Sequence, residues 1–144
     1  MKKLILSLVC CLMTVTGFGA NVKWGTDLPA AKAQAQKEKK IVLVNFTGSD
    51  WCPWCIKLKD EIFSKPEFIK YAEKKLVLVE IDFPRKKELP QPLKTANDEL
   101  AKQYKIAGFP TVVVLGSDGK RLGDLGYEKG GPKAFLGELE KIKK

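Results

Sequence analysis

A nearly continuous apolar run, Ile41 to Phe46 (IVLVNF), passes through Thr47-Gly48-Ser49-Asp50 into Trp51-Cys52-Pro53-Trp54-Cys55. From there Cys55, Leu58 and Ile62 recur at helical spacing, with Lys57, Lys59, Asp60 and Glu61 between them. A short run rich in β-branched residues with no polar alternation is a strand covered on both faces, which requires helices on both sides of a sheet. The helical period that follows places the two cysteines at a strand-to-helix junction, so the chain is constrained to an α/β architecture with a sulfur pair at the end of a central strand.

That junction suits a particular chemistry. The first backbone N–H groups of a helix have no intrahelical acceptor, and the helix dipole is positive there. Cys52 therefore sits where a thiolate is favoured, and the thiolate is the form that attacks disulfides. Pro53 fits the first turn because its missing N–H would have had no partner there. Cys55, one turn in and further from solvent, is placed to attack a mixed disulfide formed by Cys52 and release the product. Three other readings of the spacing are half a zinc site, a structural disulfide and coincidence. Zinc would need two more soft ligands, and a disulfide closing so short a loop restricts the unfolded chain little.

The cysteine count depends on the N-terminus. Met1-Lys2-Lys3 is a short basic start, and Leu4 to Val15 is apolar apart from Ser7 and Thr14, short for a bilayer span. Small residues at Gly17 and Gly19 place a secretory cleavage just before Ala20, giving a signal peptide over 1–19 and a single domain over 20–144; an uncleaved anchor is the other reading. Of the four cysteines, Cys10 and Cys11 leave with the signal, so Cys52 and Cys55 remain in an exported, oxidising setting, periplasmic or secreted. The chain has no His, which excludes a Ser-His-Asp triad, a Cys-His hydrolase pair and a His-ligated metal. Losing Lys2 and Lys3 lowers the formal charge from +9 to +7. The lysines are dispersed among Glu and apolar residues, which describes a solvated basic face, open to an acidic partner or an anionic membrane surface, and not a nucleic-acid site.

Further along, Ala30 to Lys40 is a surface helix, with Asp27 ahead of it as N-cap and Pro29 in its first turn. Pro66 interrupts the cysteine helix, and 66–75 resumes as a separate short element before a second strand, Leu76 to Ile81 (LVLVEI). Strand, helix, strand implies a parallel right-handed crossover. Phe83 to Thr95 carries Pro84, Pro90 and Pro92 among basic residues and is expected to be an extended loop without regular structure, with Thr95 or Asn97 capping a helix to about Lys105. Thr111 to Leu115 (TVVVL) is a third strand, Ser117-Asp118-Gly119-Lys120 a hairpin turn, Arg121 to Leu125 its antiparallel partner, and Pro132 to Lys143 a closing helix. Phe109-Pro110 stands at the mouth of the third strand, where a proline is common because the first ladder donor is dispensable.

In this order, IVLVNF, WCPWC opening a helix, LVLVEID, and YKIAGFPTVVVL with a turn and a closing helix resemble the thioredoxin superfamily over nearly the whole mature chain. FTGSDWCPWC joined to DFPRKKELP is similar to a group of exported bacterial thioredoxin-like proteins. The resemblance implies a thioredoxin-like fold, a central mixed β-sheet flanked by α-helices. It also implies a redox-active Cys52–Cys55 disulfide with no other cofactor and no metal. By the same resemblance Cys52 is the attacking cysteine, Cys55 the resolving one and Pro110 a cis-proline facing them, while the backbone of Phe109 pairs with the substrate chain. Trp51, Pro53 and Trp54 then form the surface around the sulfur.

Two departures stand out. Many thioredoxins hold a buried Asp beneath the cysteines, paired with a Lys on the next strand; the matching positions here are Asn45 and Leu78. Asn cannot take up a proton as a carboxylate does. Glu80 or a water is left as the substitute, although Asp50 and Glu80 also read as surface or capping residues. The linking dipeptide Pro53-Trp54 differs from the usual Gly-Pro, and the basic 83–95 loop is longer than the simple thioredoxin connection, either a selector of partners or a solvated insertion. The functional expectation is an exported thiol–disulfide oxidoreductase that reduces protein or peptide disulfides, recharged by a membrane thiol reductase, and a monomer. The alternatives are an oxidase or isomerase running the same couple the other way, a non-catalytic binding module using Trp54, Phe109 and the basic loop, and metal delivery by the two thiolates.

Overall fold

A computed structural model describes residues 22–144, so the expected signal peptide over 1–19 lies outside the described residues. Five strands form one mixed sheet in the order β1-β3-β2-β4-β5. They are β1 (Trp24–Gly25), β2 (Ile41–Thr47), β3 (Leu76–Asp82), β4 (Thr111–Leu115) and β5 (Arg121–Leu125). β1 and β2 run parallel to β3, whereas β4 is antiparallel to β2 and β5 antiparallel to β4. The run IVLVNF is thus the central strand, buried from Val42 to Thr47 as its lack of polar alternation requires. The two-residue β1, which pairs with Leu78 and Val79, is too short to leave a periodic signal.

The helices are α1 (Leu28–Glu38), α2 (Pro53–Leu58), α3 (Pro66–Lys75), α4 (Gln91–Gln103) and α5 (Gly131–Ile142), with a π-helical turn over Lys59–Phe63 continuing α2. Side chains alternate across the sheet. Val42, Val44, Phe46, Val79 and Ile81 pack with Leu28, Ala31 and Ala35 of α1 and with Tyr104 at the end of α4. Leu43, Leu78, Val112 and Val114 pack on the other face with Leu58, Phe68 and Phe135 from α2, α3 and α5. Asp27 caps α1 as its sequence suggests, its carboxylate accepting from Ala30 N at 2.9 Å. Pro66 opens α3 as its first residue, the position at which a missing N–H is harmless.

Two expectations about the connection after β3 are corrected. The helix begins at Gln91, not at Thr95 or Asn97, because Pro92 occupies its first turn and so starts the helix it was expected to exclude. The irregular segment is only residues 83–90. Asn97 is not a cap: it is buried within α4, and its Nδ2 donates to Asp82 O at 2.9 Å, tying the helix to the end of β3.

Candidate active site

β2 ends at Thr47, and the chain turns through Gly48–Trp51 into α2, with Cys52 as its N-cap. Cys52 N donates to Gly48 O at 2.9 Å and Gly48 N donates to Cys55 Sγ at 3.4 Å, so the turn is closed around the sulfur pair. Cys52 and Cys55 form a disulfide with Cα atoms 5.2 Å apart. Cys55 N donates to Cys52 Sγ at 3.3 Å, the helix-start contact that favours a thiolate when the pair is reduced. Pro53 is at the first helical position. The two cysteines are equally enclosed, each 4% exposed, which corrects the expectation that Cys55 lies further from solvent: the Phe109 backbone closes on Cys52.

The Phe109–Pro110 peptide is cis, and Phe109 O lies 3.7 Å from Cys52 Sγ. Residues that share only a fold-wide closure are brought together here: the sulfurs at the end of β2 and the bend that enters β4. Trp51 stands edge-on to Phe109 with ring centroids 6.2 Å apart. Trp54 is 52% exposed, its ring beside Tyr127 at 5.4 Å and under Lys57 Nζ at 5.1 Å. All the residues marked in the sequence, Trp51, Cys52, Pro53, Trp54, Cys55, Phe109 and Pro110, therefore meet at one end of the sheet.

Beneath the cysteine helix, Asn45 shares the sheet face of Leu43 and is 5% exposed, with its Oδ1 unpaired. Its register partner on β3 is Glu80, not Leu78, which lies opposite Leu43. In-register side chains on adjacent strands share a face, so Glu80 is the carboxyl beside Asn45. Glu80 is half-buried, and burial holds its carboxyl above the ordinary value; the nearby Asp82 charge pushes the same way, against Lys59 and Lys87. It is neither a cap nor a plain surface residue.

A second set of contacts joins the active-site turn to residues 82–87. The Asp50 carboxylate accepts from Arg85 N at 2.9 Å, Lys86 N at 2.8 Å and Lys87 N at 3.0 Å. These bonds, that from Arg85 foremost, hold its carboxyl below the usual range. The buried Asp82 carboxylate accepts in return from Ser49 N at 3.0 Å and Ser49 Oγ at 2.6 Å. Trp51 Nε1 donates to Phe83 O at 2.8 Å, the Arg85 guanidinium lies 3.6 Å from the Trp51 ring centroid, and Phe83 stacks on Phe109 at 5.0 Å. Of these partners Trp51 and Phe109 stand out in the sequence as site residues, and Asp50 as a surface or capping residue; a short Ser-Asp pair in a turn is the one local signal for such capping. Phe83 and Arg85 carry none.

A buried dithiol or disulfide couple at a helix N-terminus, facing a cis-proline bend across the end of a mixed sheet, defines a class of redox proteins. The chain matches the thioredoxin-like domain family over residues 28–143 and belongs to that family. It is a thiol–disulfide oxidoreductase, and its redox group is the Cys52–Cys55 disulfide itself. Among proteins similar to it is the disulfide bond reductase DsbH of Chlamydia pneumoniae, 36% identical over 147 residues that cover 95% of this chain and 89% of the relative. A solved structure of a DsbH oxidoreductase superposes with a TM-score of 0.79 at 38% identity, covering 85% of this chain and 84% of that one. The reduced C-terminal domain of DsbD from Neisseria meningitidis gives 0.60 at 28% identity, over 80% and 93%.

Proposed function

We propose that the chain is an exported, monomeric reductase of protein disulfides in which Cys52 attacks and Cys55 resolves. The observation that carries the assignment of roles is Cys52 Sγ at the N-cap of α2, held 3.7 Å from Phe109 O at the cis-proline bend. In the reduced protein the Cys52 thiolate attacks one sulfur of a substrate disulfide; a Cys52–substrate S–S bond forms, and the other substrate sulfur leaves as a thiolate that takes a proton from solvent. Deprotonated Cys55 then attacks Cys52 Sγ, the Cys52–Cys55 bond forms, and the second substrate thiolate leaves. Two electrons pass from the dithiol to the substrate. A second thiol protein must return them, and in an exported setting a membrane thiol reductase suits that role. Phe109 offers its backbone to an extended substrate, while Pro53, Pro110, Trp51 and Trp54 form the surface around the sulfur. The reductive direction is supported by the similarity to a disulfide bond reductase, and export by the basic start and apolar run before Ala20.

Turnover of a disulfide protein by the chain lacking residues 1–19, with a dithiol donor, tests the roles. Cys52→Ser is expected to abolish turnover, and Cys55→Ser to accumulate mixed disulfides with the substrate, visible as a mass increase reversed by reductant. Full turnover by Cys52→Ser would overturn the assignment.

A further inference from the structure

The segment from Phe83 to Pro90 separates β3 from α4 and borders a cleft of about 510 Å³, lined by Phe83, Pro84, Arg85, Leu89 and Lys94 among others, so it is not packed into the core on that side. Its placement therefore depends on what it touches on the redox side. There its contacts come from Thr47, whose O accepts from Phe83 N at 2.8 Å, and from three consecutive residues of the active-site turn, Ser49 to Trp51. Asp50 takes three successive backbone N–H groups of the loop, Asp82 takes the backbone and side chain of Ser49, and Trp51 donates to Phe83 O. The result is a layer of Arg85, Trp51, Phe83 and Phe109, each in contact with the next, that ends at the backbone 3.7 Å from Cys52 Sγ.

The turn is shaped for this layer. A Cβ on Gly48 would lie 2.5 Å from Trp51 Cε2, so glycine is required for the indole to lie back across its own turn and face the loop. Asp50 itself touches neither sulfur. Its two oxygens serve backbone donors 35, 36 and 37 residues away, so its hydrogen bonds fix the position of the loop.

We propose that Asp50 is a positioning residue that holds the 83–90 loop as the wall of the substrate groove beside Phe109, where it contacts the polypeptide on one flank of a protein substrate's disulfide. The inference rests on the reading of the chain as a reductase of protein disulfides. A small disulfide reaches Cys52 without spanning the wall; a polypeptide lying along Phe109 must pass Phe83 and Arg85. Loss of the Asp50 carboxylate thus acts on protein substrates selectively. Asp50→Asn keeps one carbonyl acceptor and falls between the wild type and Asp50→Ala.

The test compares kcat and KM for a disulfide-bonded protein, reduced insulin formation being a convenient readout, with the rate on oxidised glutathione, for the wild type, Asp50→Asn, Asp50→Ala and Arg85→Ala, together with their thermal midpoints. The expected result for Asp50→Ala is a KM for the protein raised about tenfold, roughly a 1.4 kcal/mol loss of binding, with a change of no more than about twofold on glutathione. Asp50→Asn is expected between the two, and Arg85→Ala is expected to raise the same KM by less. Equal losses on both disulfides, or no change in KM for the protein, would overturn the proposal. Should Asp50→Ala fail to fold, Arg85→Ala decides by the same ratio. A wild type inactive on both disulfides would instead overturn the reductase reading on which the proposal stands.

Discussion

The two tryptophans that bracket Cys52 differ in almost every respect, although they are three residues apart. Trp51 is held at three points, by its hydrogen bond to Phe83 O, by Arg85 over its face and by Phe109 at its edge. Trp54 presents half its surface to solvent, with its ring beside Tyr127 and the Lys57 ammonium. Tyr127 is itself fixed by donating to Glu61 Oε2 at 2.5 Å, and that bond raises its hydroxyl above the ordinary value. One flank of the sulfur is thus built into the fold, while the other is a free aromatic surface. A buried aromatic stabilises, whereas an exposed one beside a reactive group is available to a partner.

The contrast can be broken most strongly at Trp51. Trp51→Ala removes a half-buried ring and the layer it supports, and is expected to cost about 2–3 kcal/mol of stability, short of the fully buried case. Chemical denaturation measures this; a midpoint within error of the wild type would mean that the locked flank is not structural. Trp54→Ala is expected to change stability by less than about 0.5 kcal/mol, yet to weaken turnover of a protein disulfide by about 1 kcal/mol, roughly fivefold. Unchanged kinetics would remove Trp54 from the substrate surface.

The smallest effect concerns two carboxylates that divide along the same line. Asp50, at the rim, is satisfied by three amides, whereas Glu80 is half-buried beside Asn45 and held above its ordinary value by burial and by Asp82. A raised carboxyl releases its proton at higher pH in the folded than in the unfolded chain. The folded state then binds more protons across that window, and stability falls as pH rises through it. Glu80→Gln is accordingly expected to be more stable than the wild type at neutral pH, with the gap closing as pH falls below the ordinary glutamate range. Equilibrium denaturation as a function of pH measures the gap, and a pH-independent or reversed difference would contradict this environment for Glu80.

Much of this is legible in the sequence. An unalternating run such as IVLVNF has few places to go but the middle of a sheet covered on both sides, and a Cys-Pro-Trp-Cys sequence at its end places sulfur at a helix start. The cis peptide at Phe109–Pro110 followed from the resemblance and not from local pattern. The start of α4 is not legible there because three prolines in a basic stretch look like breakers, while Pro92 in a first turn is compatible with a helix. The lacing of Asp50 to Arg85, Lys86 and Lys87 was illegible for another reason. Those partners meet only after β2 and β3 pair in register, and backbone donors leave no trace in side-chain identity. Glu80 reads as surface because a lone charge in an apolar strand usually faces water, whereas the register sets it beside buried Asn45.

The central claim is that the Cys52–Cys55 couple is the reducing partner in exchange with protein disulfides. Its reduction potential, measured on the chain lacking residues 1–19 by equilibration with defined glutathione buffers and read by thiol alkylation and mass, tests that directly. The expected value lies toward the reducing end of the family, about −270 mV. A value near about −120 mV would make the couple an oxidant and contradict the reductive direction.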